Sequence, residues 1–99
     1  MYGTVARIRV KPGAEHELMA QFREFSTLRV PGYRATYAYR MDSDPNEFYL
    51  AVVFDSQETY RANAESPEQD KRYREMLALL EREPEWHDGA ILADIVQGG

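Results

Sequence analysis

The chain contains no cysteine, which removes disulfides, thiolate nucleophiles and zinc–thiolate sites from consideration. No apolar run approaches the roughly 18 residues that a membrane-spanning helix requires, so no membrane partner is expected. Positive charge is in short supply: 12 Lys and Arg stand against 17 Asp and Glu, for a net charge of −5. The basic residues are scattered, and nucleic-acid affinity depends on clustered ones, so no nucleic-acid partner is expected either. GxGxxG, P-loop and HExxH patterns are all missing, which leaves a dinucleotide fold, a phosphate loop and a zinc-protease helix unsupported. His16 has Met19 and Ala20 three and four residues on, so it forms no metal pair on its helix. No metal or other cofactor is expected. The opening "MYGTVARIRV" alternates where a signal peptide would show a basic head and an apolar stretch, and the cytoplasm is the expected location.

What remains is an ordinary folding composition, 43% hydrophobic and 29% charged over 99 residues. It reads as a single domain over 1–99 with a core of about 2–96. "YGTVARIRV" alternates, with Tyr2, Thr4, Ala6, Ile8 and Val10 on one side and Val5, Arg7 and Arg9 on the other, as a strand does. "KPG" breaks it. Ala14, Leu18, Phe22, Phe25 and Leu28 then recur at helical spacing, with Glu15 and Glu17 in the first turn. "YRATYAYRM" and "FYLAVVF" are two more strands, joined by the turn formers of "DSDPNE" into an antiparallel hairpin. Asp55 with Glu58 predicts the cap of a short helix. Ser66, Pro67 and Gln69 predict the start of a longer one with a buried stripe of Tyr73, Met76, Leu77 and Leu80. On its outer side, Glu68–Arg72 and Asp70–Arg74 are expected four-residue ion pairs. Pro84 ends that helix, and "AILADIV" reads as the last strand.

Strand, helix, strand, strand, helix pair, strand is the β-α-β-β-α-β ferredoxin-like plan, an α+β fold with a four-stranded antiparallel sheet. Helices cover one face of such a sheet. Here the second strand carries Tyr33, Tyr37 and Tyr39 on one face, and the third is apolar on both. Each aromatic side chain buries about 150–250 Å², so leaving them in water would expose an unusually large patch. A second copy packed sheet to sheet is the simplest cover, and a homodimer is expected.

On the element order, the "VKPG" turn before the first helix, the hairpin "YAYRMDSDPNEFYLAVVFDS" and the "SPEQ" that opens the long helix, the chain resembles the antibiotic biosynthesis monooxygenase (ABM) family. That resemblance implies a dimeric α+β barrel with a ligand cavity between helices and sheet, and the dimer interface on the sheet's other face. It also implies oxygenation of electron-rich aromatic phenols or quinols by O2, without metal or flavin. A non-catalytic dimer binding an aromatic small molecule is the alternative.

Such chemistry asks for a base or acceptor near the phenol, a polar group for developing negative charge, and a dry aromatic pocket. Asn63, Trp86 and His87 are the catalytic candidates; Tyr37, Tyr39, Tyr60 and Tyr73 are the substrate-binding ones. Asn63 follows Tyr60 by three residues and shares its helix face. Imidazole titrates nearest neutrality, which favours His87 as an acid–base group. Adjacent residues of an extended segment point to opposite faces, however, so Trp86 and His87 should not act as one pair. The haem-degrading branch places an asparagine on the first strand, where this chain has Arg7 and Arg9, so haem is not the expected substrate. Those arginines are expected to pair with carboxylates. An RNA-recognition domain shares the strand order, but "EFYLAVVF" lacks its glycine and basic residue.

Overall fold

A computed structural model describes residues 1–98 of the chain. Its elements run β1 (Tyr2–Arg9), α1 (Glu15–Ser26), β2 (Tyr33–Arg40), β3 (Glu47–Phe54), α2 (Gln57–Ala64), α3 (Pro67–Leu77) and β4 (Glu85–Ala90). The four strands form one sheet in the order β2-β3-β1-β4, every neighbouring pair antiparallel. This is the ferredoxin-like α+β plan that the sequence predicts.

The alternation of β1 decides where the core sits. Thr4, Ala6, Ile8 and Val10 are buried, while Val5 is exposed and Arg7 and Arg9 are half-buried on the reverse. Phe48 and Leu50 of β3 join them beneath Leu18 of α1 and Met76 of α3, while Phe54 is buried against the rings of Tyr33 and Tyr60. Ala6 and Leu18 are 0% exposed within this core. Gly32 turns the chain between α1 and β2 at φ 79, and a Cβ there would collide with Thr59 of α2. No other residue suits both conditions.

Two caps differ from expectation. α2 starts from Ser56, not Asp55: the Ser56 hydroxyl accepts from the Thr59 backbone N–H at 3.1 Å, and Thr59 Oγ1 accepts from Ser56 N–H at 3.2 Å. Asp55 is drawn away by the guanidinium of Arg34. α3 does start at the Ser66–Pro67 cap, where Ser66 Oγ accepts from Gln69 N–H at 3.1 Å. The Gln69 side chain does not close the reciprocal bond, because its Oε1 accepts from Arg72 Nε at 3.0 Å. Arg72 lies over the Phe25 ring, 5.1 Å from its centroid, and so is taken from the expected pair with Glu68. The Asp70–Arg74 pair forms, at 3.1 Å. α3 stops at Leu77, and Leu80 stays buried through a bridge to Val10.

The last strand is the main correction. β4 is Glu85–Ala90, not "AILADIV", and it runs straight through Asp88-Gly89. Its length is set by its single partner: Tyr2, the first residue of β1, pairs with Ala90. One more bond, Ile91 N–H to Met1 O at 2.9 Å, ends the ladder. Beyond it Leu92, Ile95 and Val96 are 95%, 93% and 79% exposed. Among the described residues no helix is long and apolar enough to cross a membrane.

Candidate functional site

Period-two alternation on four paired strands assigns each side chain to one of two faces. Thr36, Val52, Thr4 and Asp88 form one row across the sheet, and Ala38, Leu50, Ala6 and Trp86 the next. Both rows face the helices. The intervening rows, Tyr37–Ala51–Val5–His87 and Tyr39–Tyr49–Arg7–Glu85, face the other way.

Between the first face and the helices lies a cavity of about 440 Å³, within the range typical of small-molecule sites. Phe22 and Phe25 of α1, Tyr73 and Met76 of α3 and Trp86 of β4 give it aromatic and apolar walls. Trp86 and Tyr73 meet at 6.1 Å between ring centroids and an angle of 49°. Trp86 keeps 42% of its surface exposed, so much of the indole is free to meet a ligand. α2 places Asn63 and Tyr60 on the same wall. Tyr60 packs edge-on against Tyr2 at 5.3 Å and Phe54 at 5.5 Å, which fixes its ring and aims its hydroxyl across to β4.

There the hydroxyl donates to Asp88 Oδ1 at 2.9 Å. Burial, and then the hydrogen bond and negative charge of Asp88, push the Tyr60 pKa up to about 12. Tyr60 is therefore a hydrogen-bond donor near neutrality and not a base. The Thr4 side chain acts weakly in the other direction, without a bond of hydrogen-bonding geometry: its Oγ1 is buried and has no partner.

The structure thus brings Asn63, Trp86, Tyr60 and Tyr73 to one cavity. Tyr37, Tyr39 and His87 stand on the opposite face, with Tyr37 and Tyr39 58% and 57% exposed, because they sit one residue out of phase with the cavity rows. Arg7 pairs with Glu47, and with Glu85 at 3.4 Å; Arg9 pairs with Asp44 at 2.6 Å and Glu81 at 2.9 Å. The Arg9 guanidinium holds the Asp44 carboxyl below its ordinary pKa. Asp88, Thr4 and Thr36 are among the cavity residues that are not candidates from the sequence. Asp88 was within reach of the same alternation that carries Trp86, had the strand been started at Glu85. Among the described residues no three His, Cys, Asp or Glu side chains converge as a metal site needs.

Sheet order, helical cover and an aromatic cavity between them define a ferredoxin-like α+β domain. The antibiotic biosynthesis monooxygenase family model matches residues 1–84, and the chain belongs to that family. No curated protein sequence matches it. Among solved structures, a protein of Chloroflexus aurantiacus J-10-fl assigned provisionally to the antibiotic biosynthesis monooxygenases is 23% identical, with 98% of each chain covered and a TM-score of 0.77. SnoaB, a cofactor-independent oxygenase from Streptomyces nogalater, is 18% identical, with 97% of each chain covered and a TM-score of 0.78. A conserved protein of Methanosarcina mazei Go1 is 18% identical over 89% of each chain, with a TM-score of 0.75. At these identities the likeness is one of fold.

Proposed function

We propose that the protein is a cofactor-independent monooxygenase that oxidises an electron-rich aromatic phenol or quinol with O2. The observation that carries this reading is the cavity, whose flat aromatic walls of Trp86, Tyr73, Phe22 and Phe25 meet polar groups at the β4 end. Family membership and the resemblance in fold to SnoaB support it. In the reaction one oxygen atom joins the ring. The other leaves as water, with the hydroxyl hydrogen and the ring hydrogen of the substrate. The substrate supplies the electrons, so a phenol and O2 yield a quinone and water.

Within the cavity, Trp86 and Tyr73 hold the ring and exclude water, and Asn63 orients a substrate oxygen. Tyr60 remains protonated and donates. His87 faces away and takes no part in this assignment. Oxygen uptake by the purified, metal-free protein with a panel of anthrols, naphthols and quinols tests the reading; no uptake with any of them counts against it.

A non-catalytic role in binding an aromatic metabolite is the second reading. It is favoured by one feature: neither histidine lines the cavity, so no imidazole base is at hand.

The proposed working unit is a cytoplasmic homodimer, paired through the outer face of the sheet. Tyr37, Tyr39 and Val5 leave that face aromatic and exposed. Arg7 and Arg9 are already matched to Glu47, Glu85, Asp44 and Glu81 on their own chain, so two copies can meet without opposing unpaired charge.

A further inference from the structure

At the β4 end of the cavity three polar side chains arrive from three elements. Asp88 stands on β4, Thr4 is its register partner on β1, and Tyr60 reaches over from α2. The two arginines of the neighbouring strand lie on the opposite face and are bound by other carboxylates. Asp88 is answered on this side by the Tyr60 hydroxyl, at Oδ1, and an ionised carboxylate has acceptor capacity for more than one donor. Thr4 is 5% exposed and its Oγ1 is an orphan, an uncommon condition for a buried polar atom. Thr4 and Tyr60 line the same cavity beside Asp88. A Tyr60 hydroxyl displaced from Asp88 by a ligand therefore has Thr4 to turn to, and the exchange ends with no orphan.

The charge around the cavity narrows the ligand further. Glu24, Glu75 and Asp88 line it against the single guanidinium of Arg72, and the fourth carboxylate there, Asp70, is paired with Arg74. Anionic ligands meet a repulsive field there, and a neutral donor does not. A carboxylate accepts hydrogen bonds only, so what it recognises is an O–H or N–H and not an ether or a carbonyl.

We infer that Tyr60, Asp88 and Thr4 form a hydroxyl-recognition subsite: an uncharged hydroxyarene enters with its O–H directed to Asp88 and its ring against Trp86, and carboxylated arenes are turned away. This rests on the reading of the cavity as the substrate site, and not on oxygenation taking place there.

The test is calorimetric titration of the protein at neutral pH with 2-naphthol, 2-methoxynaphthalene and 2-naphthoate. One hydrogen bond to a charged acceptor predicts that naphthol binds about tenfold tighter than its methyl ether, with naphthoate the weakest. Asp88→Val, a strand-compatible change at an exposed position, should erase the naphthol preference and improve naphthoate. Thr4→Val, which keeps the buried shape, should reduce the preference, and Thr4→Ser should restore it. Equal affinity for naphthol and ether, no binding of either, tighter naphthoate, or a preference that survives Asp88→Val overturns the subsite. The two readings fail separately. Hydroxyl preference without oxygen consumption supports the subsite and counts against the oxygenase; oxygen consumption without hydroxyl preference overturns the subsite alone.

Discussion

Trp86 and His87 are consecutive residues of β4 whose side chains lie on opposite faces of the sheet: Trp86 shares a row with Leu50 and Ala6 over the cavity, and His87 shares one with Val5 and Ala51 on the outer face. The pair that looks most like chemistry in the sequence is divided by the pleat. Substitutions at the two positions should therefore report on different properties. Trp86→Ala removes a cavity wall and the contact with Tyr73. Aromatic contacts contribute about 0.5–1.5 kcal/mol beyond the area they bury, so affinity for an aromatic ligand should fall at least about tenfold, with Trp86→Phe intermediate. Ligand titration of the three proteins checks the order.

Tyr60 carries a spectroscopic signature. Its folded pKa of about 12 lies above the ordinary tyrosine value. A group with a raised pKa favours the folded state below the unfolded value and loses that contribution as pH climbs through the folded one. Stability should therefore decline between about pH 10 and pH 12. Absorbance titration at the phenolate band should resolve the late ionisation of Tyr60. Tyr60→Phe should delete it. Asp88→Asn should move it only part of the way back, since burial is the larger cause.

Packing beneath the cavity predicts two contrasting outcomes. Leu18→Ala empties a fully enclosed position and should cost about 2–5 kcal/mol in urea denaturation. Gly3→Ala places a Cβ onto the carbonyl oxygen of Val52, whereas Gly89, its register partner on β4, has open space around it. Gly3→Ala should strongly destabilise the fold, and Gly89→Ala should leave the denaturation midpoint nearly unchanged.

The proposed sheet-to-sheet pairing covers Tyr37 and Tyr39 on the edge strand β2. Replacing either by Asp introduces a charge among buried aromatics. Buried tyrosine anchors of an interface contribute about 2 kcal/mol, so the dimer dissociation constant measured by sedimentation equilibrium should rise by about thirtyfold.

Most of the fold is legible in the sequence because period-two and period-3.6 patterns follow directly from which face is buried. β1 shows this best, since Thr4, Ala6, Ile8 and Val10 are the residues the alternation assigns inward. β4 was misplaced for a physical reason. "EWHDGA" holds two charges, a glycine and no β-branched residue, while "AILADIV" has the apolar content of a strand. What decides the matter is the pairing of Glu85–Ala90 with β1, a tertiary fact that no local propensity carries. The site suffered in consequence. Starting the strand after Pro84 puts Trp86 and Asp88 on one face; starting it at Ala90 hides Asp88 in a turn. Tyr37 and Tyr39 were assigned together correctly, but which face of β2 meets the helices is fixed by its register with β3, as the pairings Thr36↔Val52 and Tyr37↔Ala51 record.

The central claim is that this cavity joins one atom of molecular oxygen to a hydroxyarene without help from a cofactor. Turnover of an anthrol under ¹⁸O2, with the purified protein stripped of metals and flavin, tests it most directly. The account predicts a quinone product carrying a single ¹⁸O atom, formed much more slowly by Trp86→Ala and Asp88→Val. Product formed at the rate of the protein-free solution, or labelled from H2¹⁸O instead, would contradict it.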